Sequence, residues 1–314
     1  MSAETPDCEA PEPQPCSVSV VICAYTDRRL PVLTKAIAET LAQLRDGDEL
    51  VVVVDHAPEL RQRLTTLFPQ LKIVENQNRR GLSGARNTGI AMSTGVLVAF
   101  LDDDAVPAEY WLERLRESYL QPSVIGAGGL IIPVWPSATP SWMPDEFLWV
   151  VGCSYAGLPE TKSAVRNPIG ANMSFRREAF SAVGGFSGEL GRVGTLPVGC
   201  EETELSIRVG ARFPEMQIVH EPTARVDHHI SPERVSFSYF LHRCWSEGLS
   251  KAAVTRLAKQ PGSLSTEQDY LTKTIAPAIL RELRSGLRGQ RSAWGRVAAL
   301  SAGTVLTGVS YLVH

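Results

Sequence analysis

The sequence predicts an α/β protein whose mostly parallel sheet is flanked by helices. Three observations carry this expectation. First, residues 18–23, 50–54 and 96–101 are short, largely apolar runs without alternation, the pattern of strands buried on both faces, and residues 71–74 are a further strand candidate. Second, segments of helical periodicity separate these runs, an alternation that implies right-handed crossovers. Third, two runs end in carboxylates, Asp55 and Asp102-Asp103-Asp104, and open α/β sheets bind ligands at the carboxyl ends of their strands.

The elements follow in order. After the first strand comes a turn at Ala24-Tyr25-Thr26-Asp27. Residues 30–44 carry Leu33, Ala36, Ile37, Leu41 and Leu44 at helical spacing. A helix is expected over 59–67. Residues 76–90 are polar and glycine-punctuated, then turn helical, with Ser83 as a possible cap. Arg86 falls in the first turns of that helix, where it could reach a phosphate or a base, or pair with nearby acids. The three consecutive acids at 102–104 repel one another. A hard divalent cation such as Mn²⁺ or Mg²⁺ takes oxygen ligands of this kind, and the alternative is a solvated acidic turn.

Residues 107–119 read as a helix with Trp111, Leu112, Leu115 and Tyr119 on one face, and 124–134 as a glycine-rich strand. The irregular stretch 133–168 holds Trp135, Trp142, Phe147 and Trp149. Loops of that length in a compact domain are usually functional or disordered. Here the aromatics suggest a lid or acceptor wall, or else a cover for a core edge. Residues 170–180 are a strand running into a helix, and 187–199 a glycine-rich loop. Glu201, Glu202 and Glu204 open a further helix, where the helix dipole favours acids whatever their role. Two short strands are expected at 218–220 and 224–226, followed by Asp227-His228-His229. Long helices are expected over 237–257 and 270–287.

The 314-residue chain is 44% hydrophobic and 21% charged, with formal net charge −3. That is a globular balance without the basic excess of a nucleic-acid binder. Its six cysteines are scattered, with no CxxC pair, which points away from a zinc site or disulfide framework and towards a reducing cytoplasmic setting. Residues 1–16 are rich in proline and acids and lack the basic and apolar regions of a signal peptide, so a disordered tail is expected there. Residues 17–230 would form the α/β domain and 231–314 a C-terminal helical extension. Arg281, Arg284, Arg288, Arg291 and Arg296 precede an uncharged stretch at 297–313. It is borderline in length for a bilayer span. A helix packed on the domain, or a peripheral contact with an anionic cytoplasmic membrane face, is the expected reading.

Four segments together resemble family 2 of the glycosyltransferases: Val20-Val21-Ile22-Cys23-Ala24-Tyr25, the run from Leu82 through Arg86 to Ile90, Phe100-Leu101-Asp102-Asp103-Asp104, and Glu201-Glu202-Thr203-Glu204-Leu205-Ser206-Ile207-Arg208. The resemblance covers roughly residues 18–229. It implies the GT-A fold, a Rossmann-like mixed sheet, and an inverting transfer from a nucleotide-sugar donor. It also implies roles. Tyr25 and Asp55 would hold base and ribose, and Arg86 would lie near the base or phosphates. Asp102 or Asp103 would touch the ribose, and Asp104, with His228 or else His229, would hold the metal. Glu202, with Glu201 as fallback, would deprotonate the acceptor. Departures are Cys23-Ala24-Tyr25 for the common Pro-Thr-Tyr, His56 for a second acid, and Glu201-Glu202 for Glu-Asp. The stretches 149–159 and 167–174 resemble a branch that includes enzymes transferring glucuronic acid to a polyprenyl phosphate-linked sugar, so a glycan or lipid-linked acceptor is implied.

The residues support the same chemistry. A cation beside Asp104 would stabilise charge on a leaving diphosphate. One carboxylate near the acceptor hydroxyl suffices as general base for inversion. Two other classes compete. A sugar-nucleotide nucleotidyltransferase would usually need a glycine-rich loop after the first strand, and residues 24–29 contain no glycine. A non-catalytic nucleotide-sugar-binding module would have no need of both Glu201-Glu202 and the triple acid.

Overall fold

The computed structural model describes residues 16–188, 199–258 and 265–314. Of the expected tail only Cys16 is included, and most of the loop at 187–199 also lies outside the described residues.

The N-terminal half is the parallel unit its apolar runs predict. Strands β1 (Val18–Ala24), β2 (Glu49–Val54), β3 (Lys72–Glu75) and β4 (Leu97–Asp102) lie in the order β3-β2-β1-β4, all parallel. Helices α1 (Leu30–Leu41), α2 (Pro58–Leu67) and α3 (Leu82–Met92) make the crossovers. Val20, Ile22 and Val52 face one side with Leu33, Ile37 and Leu60, and Val21, Val51, Val53 and Phe100 face the other. Each such side chain, fully withdrawn from water, contributes roughly 1.5–3 kcal/mol.

The second half is mixed. Beyond β4 come β8 (Asn172–Arg176), β6 (Val124–Val134), β9 (Gln217–His229) and the short β5 (Ala105–Pro107), while β7 (Ser163–Val165) pairs with β9. Ladders β4·β8, β6·β8, β5·β9 and β7·β9 are antiparallel, and β6·β9 is parallel. Helices α4 (Trp111–Ser118), α5 (Arg177–Val183) and α6 (Glu201–Arg212) complete this half.

The two short strands expected near 220 are one strand, β9. Its register against β6 shifts between Gly129 and Leu130, so that Glu221 and Arg225 oppose consecutive residues. Pro222, which cannot donate to a ladder, falls in the bulge and hides the continuity from a sequence reading. A side chain on Gly129 would overlap the carbonyl of Ala224. Asn172 Nδ2 donates to Ala224 O (2.8 Å) and Leu130 O (3.2 Å), and its Oδ1 accepts from Trp111 Nε1 (2.8 Å).

The helical extension comprises α7 (Phe237–Ala258), α8 (Ser265–Tyr270), α9 (Ala276–Leu287) and α10 (Arg291–Val313). The helix expected to begin at Tyr270 instead starts at Ser265 and passes through a π-helical turn, Leu271–Ile275. The aromatic stretch at 133–168 does not stand free as a lid. Trp142 packs edge-on to Phe237 and Phe240 (centroids 4.9 and 5.5 Å), Phe147 lies 5.3 Å from Phe240, and Trp149 Nε1 donates to the Tyr270 hydroxyl (3.3 Å). These rings join the sheet to α7 and α8. Helix α10 is long and apolar enough to cross a membrane. One side of it lies on α7, where Gly248 admits the backbone at Thr307 and Tyr311 and Thr307 Oγ1 donates to Cys244 O (3.0 Å). The other side exposes Trp294, Val305, Val309 and Leu312.

Candidate active site

The site lies where β1, β2 and β4 end. Cys23 pairs with both Val53 and Asp102, and the Asp55 N–H donates to Ala24 O (2.8 Å). Asp55 and Asp102 therefore flank the end of β1, about 10 Å apart by ordinary strand spacing. Tyr25, next along β1, is 44% exposed at this edge.

Asp55 is buried and its oxygens already have partners within the chain. Oδ1 accepts from Asn76 Nδ2 (2.6 Å) and lies 2.9 Å from His56 Nδ1, while Oδ2 accepts from the Gly81 N–H (2.9 Å). It thereby ties down the loop that leads into α3. That helix is preceded by Gly81 at φ 129°, a conformation that favours glycine, so the cap expected at Ser83 sits two residues earlier and has no side chain.

Arg86, in the first turns of α3, is 2% exposed. Its Nη1 donates to Glu201 Oε1 (2.9 Å), and its Nη2 to Asp102 Oδ1 (3.1 Å) and Gly170 O (3.0 Å). A Cβ at position 170 would come within 2.9 Å of that Nη2, so Arg86 would have to shift. Arg86 thus pairs with nearby acids, but from a buried position rather than from the surface.

The three acids have different environments. Asp103 is 2% exposed; its Oδ1 is held by Arg29 and its Oδ2 is buried without a partner. Burial pushes its carboxyl up to about 7 despite Arg29. Asp104 Oδ1 lies 3.1 Å from His228 Nε2, and its Oδ2 lies 2.9 Å from Arg29 Nη2. Burial alone would raise the Asp104 carboxyl, but His228, Arg29 and Arg234 outweigh it and hold the group well below the usual carboxylate range. The same pairing pushes His228 up to about 10 against the opposing effect of burial. Asp102 keeps 28% of its side chain exposed.

His228 arrives through the register of β9. Ala105 pairs with His228, and the His229 N–H donates to Asp104 O (2.7 Å). His228, rather than His229, faces the acids. Ligand atoms of Asp102, Asp104 and His228 all lie within 4.8 Å of one another. The two carboxylates offer the oxygen ligands that Mn²⁺ or Mg²⁺ takes, and the imidazole adds a nitrogen that transition-metal ions accept. With the orphaned buried oxygen of Asp103 beside them, these residues fit a divalent cation.

Glu201 and Glu202 open α6 behind Cys200, a non-glycine residue at φ 67°. Successive helical positions point about 100° apart, so the two carboxylates diverge. Glu201 is buried on Arg86 with Oε2 unpartnered, whereas Glu202 is only half-buried. Burial, reinforced by the charge of Glu201, pushes Glu202 up to about 8.

Sequence reasoning missed two contributors. Arg29 stands among the turn residues but nothing local distinguishes it from Arg28. Cys153 Sγ lies 3.7 Å from His228 Nδ1, on the far side of the ring from Asp104. The thiol thus contacts the ring nitrogen that faces away from the acids. The signal was present in the 149–159 stretch, without an indication of what it would touch.

Residues 19–184 match the family model described as glycosyl transferase family 2. The chain is 34% identical over 272 residues to the glucosyl-dolichyl phosphate glucuronosyltransferase of Haloferax volcanii, covering 85% of this chain and 86% of that protein. Among solved structures it resembles the mannosyltransferase PcManGT from Pyrobaculum calidifontis in complex with GDP-Man and Mn²⁺. The TM-score is 0.63 at 19% identity, covering 98% of this chain and 91% of that one. It also resembles GalNAc-T7 with UDP, GalNAc and Mn²⁺, at TM-score 0.54 and 16% identity, over 85% and 58% of the respective chains. The fold is therefore that of the GT-A glycosyltransferases, and the chain belongs to glycosyl transferase family 2, an enzyme family of glycosyltransferases.

Proposed function

We propose that this protein is a metal-dependent inverting glycosyltransferase that moves a sugar from a nucleoside-diphosphate donor, a UDP-sugar, to a hydroxyl of a lipid-linked saccharide. The observation that carries this reading is Arg86. One guanidinium holds Asp102 of the metal-capable group and Glu201, the neighbour of Glu202. In this reading one guanidinium would tie the metal-side acid to the acid beside the general base.

Asp102, Asp104 and His228 would hold the divalent cation, which when bound supplies Lewis-acid stabilisation of the leaving diphosphate. The ring of Tyr25 offers the exposed apolar surface on which a base can rest. Asp55 supports that end of the site through the loop it ties down. Asp102, whose side chain keeps 28% exposure, or its neighbour Asp103 would meet a ribose hydroxyl. Glu202 takes the acceptor proton onto its carboxylate as the new C–O bond forms. A single displacement from the face opposite the diphosphate inverts the anomeric centre.

The similarity to a glucosyl-dolichyl phosphate glucuronosyltransferase supports a polyprenyl phosphate-linked sugar as acceptor and glucuronic acid as the transferred sugar. Residues 17–230 would be the catalytic unit and 231–314 the helical region on its acceptor side. The exposed faces of α9 and α10 add Leu280, Arg281, Arg284, Leu287, Arg288 and Arg291 to the apolar stripe of α10. This combination suits peripheral contact with the anionic cytoplasmic face of a membrane. The protein should pellet with vesicles containing phosphatidylglycerol at low salt and not with phosphatidylcholine alone. Absence of pelleting with either would remove the membrane from the proposal.

The donor test incubates the protein with UDP- and GDP-sugars, a polyprenyl phosphate-linked sugar and Mn²⁺ or Mg²⁺. Acceptor-dependent release of UDP that stops on chelation is expected. Release of pyrophosphate would indicate a nucleotidyltransferase, and tight binding without turnover would indicate a binding module.

A further inference from the structure

We infer that Arg29 is the resident counter-ion of the Asp103–Asp104 pair, and that a divalent cation entering the site competes with it. This rests on reading Asp102, Asp104 and His228 as a cation site, and it adds a residue outside that group. Arg29 ends the 3₁₀ turn Asp27–Arg29 that joins β1 to α1, so its backbone is held beside the strand ends. Its Nη1 binds Asp103 Oδ1, and its Nη2 lies 2.9 Å from Asp104 Oδ2. With His228 on Oδ1, both oxygens of Asp104 are engaged before any metal arrives.

The electrostatics follow. Three consecutive carboxylates in a buried turn need positive charge, and Arg29 spans two of them with the fixed fork of a guanidinium. Arg234 adds a more distant contribution to the same oxygen of Asp104 (3.8 Å). A guanidinium on Asp104 withdraws electron density from a prospective ligand and sets a like charge beside the incoming ion. Yet Arg29 is not locked in. Its side chain is 18% exposed, and its guanidinium rests against the exposed ring of Tyr25, 5.5 Å from the centroid. Side-chain rotation alone would release it towards the open edge. There its five donors suit the oxygens of a diphosphate. Arg29 then couples the two events: cation alone binds weakly, and a nucleoside diphosphate relieves the competition by drawing the guanidinium away.

The test is nucleotide-free Mn²⁺ binding to the purified full chain, read as the loss of the free-Mn²⁺ electron paramagnetic resonance signal. Arg29→Gln should bind Mn²⁺ alone about tenfold more tightly than wild type, because a like charge beside the incoming ion is removed. The same variant should bind UDP more weakly in the presence of saturating Mn²⁺. Arg29→Lys, which keeps a charge at the position, should stay close to wild type, as should the exposed neighbour variant Arg28→Gln. Asp104→Asn serves as the site control and should lose Mn²⁺ binding. If that control holds and folded Arg29→Gln binds Mn²⁺ equally or more weakly than wild type, Arg29 merely orients the acids and the inference fails. If Asp104→Asn still binds Mn²⁺, the cation site itself is misplaced and the inference falls with it.

Discussion

Glu202→Gln should retain nucleotide and metal binding and lose transfer. The amide cannot accept the acceptor proton, and general-base catalysis typically contributes 10²–10⁴-fold, so kcat/KM should drop by about three orders of magnitude, about 4 kcal/mol of transition-state stabilisation. Binding should survive because Glu202 stands apart from Asp102, Asp104 and His228, and because Glu201, not Glu202, carries the tie to Arg86. Steady-state kinetics beside calorimetric UDP titration would separate the two effects. Full activity in the variant would move the base to Glu201 or elsewhere.

The wild-type pH profile tests the same assignment from another side. Burial and the Glu201 charge push Glu202 up to about 8, and only its ionised form is a base. The kcat/KM of the wild type should therefore rise with pH and level off above about 8, and Glu202→Gln should lose that limb. The folded-state pKa is raised, so the folded protein binds more protons than the unfolded chain between the two values. This group's contribution to stability is therefore greatest below the ordinary carboxyl range, declines as pH rises, and stops changing above about 8. Free Glu202→Gln should accordingly melt at a higher temperature than wild type at pH 8, with the gap narrowing towards pH 4. An unchanged gap across that range would mean that Glu202 is not held in the protonated form.

Asp104→Asn should produce the second large effect. Asp104 is the acid on which His228, Arg29 and Arg234 converge, and its carboxyl is held well below the usual range, ionised at any working pH. Replacing it removes a charged donor from the Asp102–Asp104–His228 group. A loss of at least about 100-fold in Mn²⁺ affinity is expected, since even groups behind a ligand account for 10–100-fold. Transfer should fall with it, and chelator should have little left to inhibit. Calorimetric Mn²⁺ titration decides the point. Affinity equal to wild type would take Asp104 out of the site.

Much of the architecture was legible because it is local. Residues 18–23, 50–54 and 96–101 had to become buried parallel strands, since continuous apolar runs of that length satisfy their backbone and both faces only inside a sheet. Carboxylates at their ends had to lie on one edge, which is why Asp55 and Asp102 were found together. The Glu201-Glu202 helix start was equally plain. Other features were hidden by a local signal that pointed the wrong way. Ser83 had the chemistry of a cap, but the φ of 129° at the helix entrance suited Gly81. Pro222 interrupted β9 in sequence without ending it in space.

The sequence by itself thus determined the parallel half of the sheet, the acidic strand ends and the family. Tertiary structure decided what those acids touch. His228 reaches Asp104 only through the β5–β9 register, Arg86 meets Glu201 only because α3 and α6 start beside the same strand ends, and Arg29 rather than Arg28 closes over Asp103. It also decided that α10 lies along α7 with one side open, where composition allowed a span. The reason is physical. Periodicity records which face of an element leaves water, whereas partners across the sheet depend on register and on which buried charges find each other.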